Sequence, residues 1–265
     1  MSFRTLVFLS ILYALVACGG GSESEPNPTP SPPSGGNNQP PFGGTIFVNS
    51  DIITESDPTT FVSLTSLGIE PRLMFDRREN RFITVDAFLF NALYDNSHSV
   101  EVQVNIEFET ENQAQQEALF YATEIGRLPE ILRKDLETVW IHKGVELFGG
   151  GNNNILIHTG QTPNYIADNI LEEVLIHEAA HTSLDAEHAQ STGWLNAQNL
   201  DNHFISDYAR DNPTREDIAE SFLLYIATRY RADRIPNSLN QTINDTISNR
   251  IDYFDSQGFN VYPIE

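Results

Sequence analysis

The clearest period-two stretch in the chain is "SVEVQVNIEF", residues 99–108, with Val100, Val102, Val104, Ile106 and Phe108 on one face and polar residues opposite. Side chains alternate across a strand, so this pattern predicts a half-buried β-strand. "TENQAQQEALFYATEIG" follows with helical spacing, a cap at Thr110 or Asn112 and a stop at Gly126. "LPEILRKDLE" predicts a shorter helix with proline near its start. "TVWIHKGV" and "NNILIHTG" predict two more strands, separated by the loop "ELFGGGNN". Upstream, residues 45–95 mix short β-prone runs such as "TIFV" and "RFITVDAFLF" with turn residues. Downstream, three segments read as helices: "LEEVLIHEAAHTSL" (171–184), the second half of "SDYARDNPTREDIAESFLLYIATRY" (206–230), and an amphipathic "SLNQTINDTISNRIDYF". In the middle one, Asn212 is the expected N-cap, Pro213 the first helical residue, and Ile218, Phe222, Leu223 and Ile226 the buried face. The order of elements predicts an α+β fold.

The first 44 residues follow neither period. "MSFRTLVFLSILYALVAC" carries one basic residue, Arg4, before an apolar stretch from Leu6 to Ala17. That stretch is too short to span a bilayer and has the shape of a secretory signal. It ends in Leu15-Val16-Ala17-Cys18, which resembles a bacterial lipobox with the chain's single cysteine at the lipidated position. Gly19 follows where inner-membrane lipoproteins commonly have Asp, so the resemblance implies a Gram-negative outer-membrane lipoprotein, on its periplasmic face or the cell surface. A lone cysteine leaves no intrachain disulfide. Residues 19–44 are nearly all Gly, Ser, Pro, Asn and Glu, a composition that predicts a disordered tether. The expected organisation is a signal peptide over 1–17, a lipidated Cys18 and linker over 18–44, a β-rich part without assigned role over 45–110, and a second part over 111–265.

Charge removes one class of partner. Fifteen Lys and Arg stand against 37 Asp and Glu, a net charge of −22, and such a field repels phosphate backbones, so no nucleic-acid partner is expected. The state expected is a monomer.

Chemistry concentrates in the helix over 171–184. Asp168 or Asn169 caps it in this reading, with Glu172 completing a capping box from Asn169. His177 and His181 are four apart, hence on one face, where two neutral imidazoles reach a single zinc ion at about 2.0–2.1 Å. Glu178 sits one residue round, close enough to take a proton from a metal-activated water without being a ligand. His-Glu-x-x-His is a zinc-hydrolase signature, and burying paired imidazoles without partners is costly, which weighs against an ordinary core helix.

A third ligand has three possible sources. A metzincin would need glycine three residues past the second histidine and histidine six past it; those positions hold Leu184 and Glu187, and His188 falls one place late. Glu187 is strained as a ligand so soon after the helix, and His188 reads as a surface histidine. The better source is the downstream helix, where Glu216 and Glu220 share a face otherwise flanked by core residues. Glu216 is then the ligand, and Glu220, a turn deeper, accepts the second ring N–H of a metal-binding histidine. One Zn²⁺ with three protein ligands keeps an open position, the mark of a catalytic site.

His177-Glu178-Ala179-Ala180-His181, followed by Tyr208 and by Glu216-Asp217-Ile218-Ala219-Glu220-Ser221-Phe222, resembles the catalytic domain of anthrax lethal factor and its bacterial relatives, gluzincin-type zinc endopeptidases. The resemblance spans about residues 128–256. It implies a zincin-like catalytic domain over 111–265 with a small mixed sheet and a helical C-terminal part. It also implies Glu216 as third ligand and Tyr208 as acid or oxyanion donor. The strand Ile155, Leu156, Ile157 and His158 becomes the sheet edge that aligns an extended peptide through main-chain hydrogen bonds, with His158 itself structural or at the rim. The expected protein is a lipid-anchored extracytoplasmic zinc metallopeptidase acting on peptide or protein substrates. Two other readings compete: a surface binding module whose zinc serves folding only, and a toxin-like effector protease, against which the lipid anchor argues.

Overall fold

The computed structural model describes residues 39–48 and 51–264; the signal segment, Cys18 and the linker as far as residue 38 lie outside them. The alternating segment forms β3 (Ser99–Asn105), which buries Val100, Val102 and Val104 as its period requires. The strand ends three residues early. Asn105 accepts a hydrogen bond from the Glu107 amide at 3.0 Å, and Ile106–Phe108 curl into a 3₁₀ turn that leaves Ile106 exposed. A side chain that offers the backbone a local partner competes with the strand ladder.

β1 (Phe61–Asp76) and β2 (Arg81–Tyr94) make a long antiparallel hairpin that pairs with β3. From β3 the sheet continues in parallel through β4 (Thr138–His142) and β6 (Asn154–His158). It ends on β5 (Gly149–Gly151), antiparallel to β6, so the strand order is β1-β2-β3-β4-β6-β5. Three expectations change here. Of the short β-prone runs, "TIFV" (45–48) forms no strand, whereas "RFITVDAFLF" lies in β2 of 14 residues, which pairs with the 16-residue β1 in register from Phe61–Tyr94 to Asp76–Arg81 apart from bulges that include one at Gly68. The division at residues 110 and 111 has no counterpart, because β3 and β4 pair across it from Glu101–Thr138 to Val104–Ile141. Finally, the loop "ELFGGGNN" contains the edge strand β5, so β6 is an interior strand and not the edge.

The helices are α1 (Glu111–Ile125), α2 (Glu130–Arg133), α3 (Thr162–Ala167), α4 (Leu171–Ser183), α5 (Thr192–Asp201), α6 (Asp207–Asp211), α7 (Glu216–Arg229) and α8 (Asn237–Gln257). With the mixed sheet they make the fold α+β, and none of them is long and apolar enough to cross a membrane. Thr110 caps α1, its hydroxyl accepting the Gln113 amide at 3.3 Å. Two other caps differ from expectation. The unforeseen α3 occupies 162–167 and Asn169 takes a left-handed conformation (φ 54°), so the N-cap of α4 moves to Ile170 and no capping box forms with Glu172. Likewise α6 ends at Asn212, whose carbonyl accepts the Arg215 and Glu216 amides at 3.2 and 2.9 Å; α7 therefore starts at Glu216, not at Pro213.

Both central helices are buried on nearly every side: Leu175, Ile176, Ala179 and Ala180 of α4 and Phe222, Leu224 and Ile226 of α7 are wholly inaccessible. A buried ion network fixes α7 from behind. Arg250 on α8, 0% exposed, donates from Nε to Asp217 Oδ2 at 2.8 Å and from Nη1 to Asp201 Oδ2 at 2.9 Å, linking α5, α7 and α8. Ordered contacts reach back into the segment expected as linker. Phe42 bridges to Ser206, its amide donating to the Ile205 carbonyl at 3.3 Å and its carbonyl accepting from Asp207 at 3.0 Å.

Candidate metal centre

Helix α4 puts His177 and His181 on one face, and α7 crosses it so that Glu216, in its first turn, meets both. The three side chains are buried, between 3 and 4% exposed. Their donor atoms form a small triangle: His177 Nε2 to His181 Nε2 is 3.2 Å, His181 Nε2 to Glu216 Oε2 is 3.0 Å, and His177 Nε2 to Glu216 Oε2 is 3.5 Å. Three donors each about 2.0–2.1 Å from one tetrahedral ion are separated by about 3.3 Å. The group is therefore of the size and composition that holds a divalent metal ion, and it is the only such group among the described residues.

Electrostatics point the same way. Burial disfavours charge on His181, but Asp185 and Glu216 outweigh it and push its pKa up to about 10. Burial also disfavours charge on Glu216, yet the imidazoles of His177 and His181 hold its carboxyl well below the usual carboxylate range. The carboxylates thus favour a positive charge at these ring nitrogens, which a proton or a metal ion can supply.

The supporting contacts divide between two carboxylates. Asp185 Oδ2 lies 3.0 Å from His181 Nδ1, four residues on, and accepts its N–H; the sequence reading passed over this residue. Such a contact fixes which ring nitrogen faces the metal. Glu220 faces His177 Nδ1 from 3.8 Å through Oε1, beyond hydrogen-bond reach, so the expected direct bond is not made. Its Oε2 instead accepts the Ile46 amide at 3.1 Å and the Ser206 hydroxyl at 2.8 Å, while burial pushes its pKa up to about 7. Phe47 sets its ring edge-on to His177, with centroids 6.4 Å apart, so the N-terminal segment closes the rear of the group.

Glu178 is buried beside the triangle and lines a cavity of about 220 Å³ together with His181, Arg215 and the β5 backbone. β5 can approach this closely because it lacks side chains. A Cβ on Gly150 would stand 1.9 Å from the Glu178 carbonyl oxygen. Thr182 joins the same parts, its hydroxyl donating to the Asn154 carbonyl at 2.8 Å and accepting the Gly151 amide at 3.1 Å.

The other expected residues lie as follows. Tyr208 is half-buried on α6 and is not among the residues lining the cavity at Glu178. Arg215 does line it, with Nε 3.5 Å from Glu216 Oε1, and adjacency to Glu216 is the one sequence signal that could have singled it out. Ile155 and Ile157 are core residues, Leu156 lines the cavity, and His158 is wholly buried, donating from Nδ1 to the Lys143 carbonyl at 2.9 Å. Glu187 pairs with Lys134 at 2.8 Å and His188 with the Tyr253 hydroxyl at 2.7 Å, so neither belongs to the metal group. Set against protein-family models, curated proteins and solved structures, the chain matches none of them.

Proposed function

We propose that the protein is a zinc-dependent endopeptidase tethered to a bacterial outer membrane through Cys18, with a zincin-like fold. The single observation that carries this reading is the buried triangle of two imidazoles and one carboxylate with a second carboxylate, Glu178, beside it at a cavity. Two nitrogen ligands and one oxygen suit zinc, and a purely structural site has no use for Glu178. Zinc held there supplies Lewis-acid chemistry that polarises a peptide carbonyl and acidifies water. His177, His181 and Glu216 hold the ion, and Asp185 orients His181. Glu178 takes the proton from the attacking water at its carboxylate and returns it to the leaving amine. Arg215, at the cavity, is the first candidate to stabilise the developing oxyanion, and Tyr208 the second.

The test is incubation of the full chain with zinc and a proteome-derived peptide library, with and without chelator. Cleavage should vanish with chelator and fall by about 10²–10⁴-fold in Glu178→Gln, which should keep its metal. Zinc binding without any cleavage, in wild type and variant alike, would instead favour a binding module.

A further inference from the structure

We propose that the N-terminal strap over residues 42–48 belongs to the metal centre, and that its docking and zinc binding strengthen one another. The proposal rests on the metal-binding part of the reading above, not on hydrolysis. The strap first meets the start of α6. The Phe42 amide donates to the Ile205 carbonyl at 3.3 Å and its carbonyl accepts the Asp207 amide at 3.0 Å; just upstream, Gln39 Oε1 accepts from Arg210 Nη1 at 3.0 Å. Gly44 turns the chain with φ 67°, a left-handed conformation that costs glycine little. Ile46 and Val48 then enter the core, and Phe47 between them sets its ring edge-on to His177.

The strap satisfies a buried carboxylate. Glu220, wholly inaccessible, accepts at Oε2 from the Ile46 amide at 3.1 Å and from the hydroxyl of Ser206 at 2.8 Å, and Ser206 is the residue that Phe42 bridges. Its Oε1 has no hydrogen-bond partner and faces His177 Nδ1 from 3.8 Å. A buried carboxylate that loses a donor must find another, so release of the strap frees Glu220 to leave its place beside the ring. Release also uncovers the side of His177 that Phe47 covers. Farther on, the Ile52 amide donates to Glu173 Oε1 at 3.1 Å, so one stretch of chain is bonded to a buried carboxylate on α7 and to another on α4. His177 and His181 belong to α4 and Glu216 to α7, so an ion among them and the strap across them favour the same arrangement of the two helices. Two partners that favour one state strengthen each other by equal factors.

Zinc affinity of the full chain is measured by competition titration, with a urea curve for every variant. Phe47→Ala, at a half-buried position, and Ile46→Pro, which deletes the amide donor, should each bind zinc about 10–100-fold more weakly than wild type. Asp57→Asn loosens the stretch that follows, where Asp57 accepts from both Nη atoms of Arg234 at 2.6 and 2.7 Å. It touches no part of the metal group, so it should lower the urea midpoint and keep zinc affinity within about twofold of wild type. In wild type, zinc should slow hydrogen exchange of the Ile46 amide by about tenfold or more and leave the Asn80 amide in the β1–β2 turn unchanged. Unchanged zinc affinity in the folded strap variants, an equal loss in Asp57→Asn, or exchange at Ile46 indifferent to zinc would each overturn the proposal and leave the metal-binding reading in place. A wild type that binds no zinc would end both.

Discussion

His181 stands between two carboxylates, Glu216 at Nε2 and Asp185 at Nδ1, both at 3.0 Å. The pairing leaves one nitrogen for an ion and commits the other to an acceptor, so ring orientation is settled before any metal arrives. Asp185→Asn removes the charge while keeping the side chain's shape, and should weaken metal affinity by about 10–100-fold in a competition titration. An unchanged affinity would show that Asp185 has no part in orienting the ring. His177, Glu178, His181 and Glu216 were legible in the sequence because helical spacing fixes which residues share a face. Asp185 obeys the same four-residue spacing but lies beyond the last helical residue, where spacing no longer fixes direction. Glu220 was recognised as facing the site, whereas its bonds to Ile46 and Ser206 depend on segments 174 and 14 residues away.

At the scale of elements, α4 is buried on the side of the N-terminal segment as well as on the side of His177 and His181. Glu173, 0% exposed, accepts the Ile52 amide at 3.1 Å, and burial pushes its pKa up to about 8 from the usual 4.5. A raised carboxyl pKa means the folded state holds the proton more tightly than the unfolded chain. Its contribution to stability is present in full below about pH 4.5 and is lost as pH rises through about 8. Glu173→Gln stays neutral throughout, so its urea midpoint should gain on wild type progressively between pH 5 and pH 8; parallel curves would contradict the assignment. The elements themselves were readable wherever apolar residues recur with a period, as in β3, α1 and α7. The strand β5 was not, since three glycines carry neither hydrophobicity nor alternation. Gly149–Gly151 is a strand because it pairs antiparallel with β6, and position 150 must be glycine because the Glu178 carbonyl, from a distant part of the chain, lies against it. The caps of α4 and α7 shifted because short helices, α3 and α6, took up the residues just before them.

Across the whole molecule, one sheet spans residues that composition had divided, and its two faces have different tasks. Helices pack on one face and bring α4 and α7 together; on the other, the long hairpin folds aromatic residues over β4 and β6 beside the cavity. The crossing of α4 and α7 is secured at its far side by Arg250, and Asp217 in that network directly follows Glu216. Arg250→Met should leave Asp201 and Asp217 buried without a counter-charge, costing about 3–5 kcal/mol in denaturant unfolding. A cost below about 1 kcal/mol would show that the network does not hold the helices in place. The central claim is that two distant helices hold one ion among His177, His181 and Glu216. Its most direct test is elemental analysis of the purified full chain beside a Glu216→Ala variant, with folding of both checked by circular dichroism. One equivalent of zinc in the wild type and its loss from the folded variant is the predicted result. A wild type without tightly held metal, or a variant that retains a full equivalent, would contradict it.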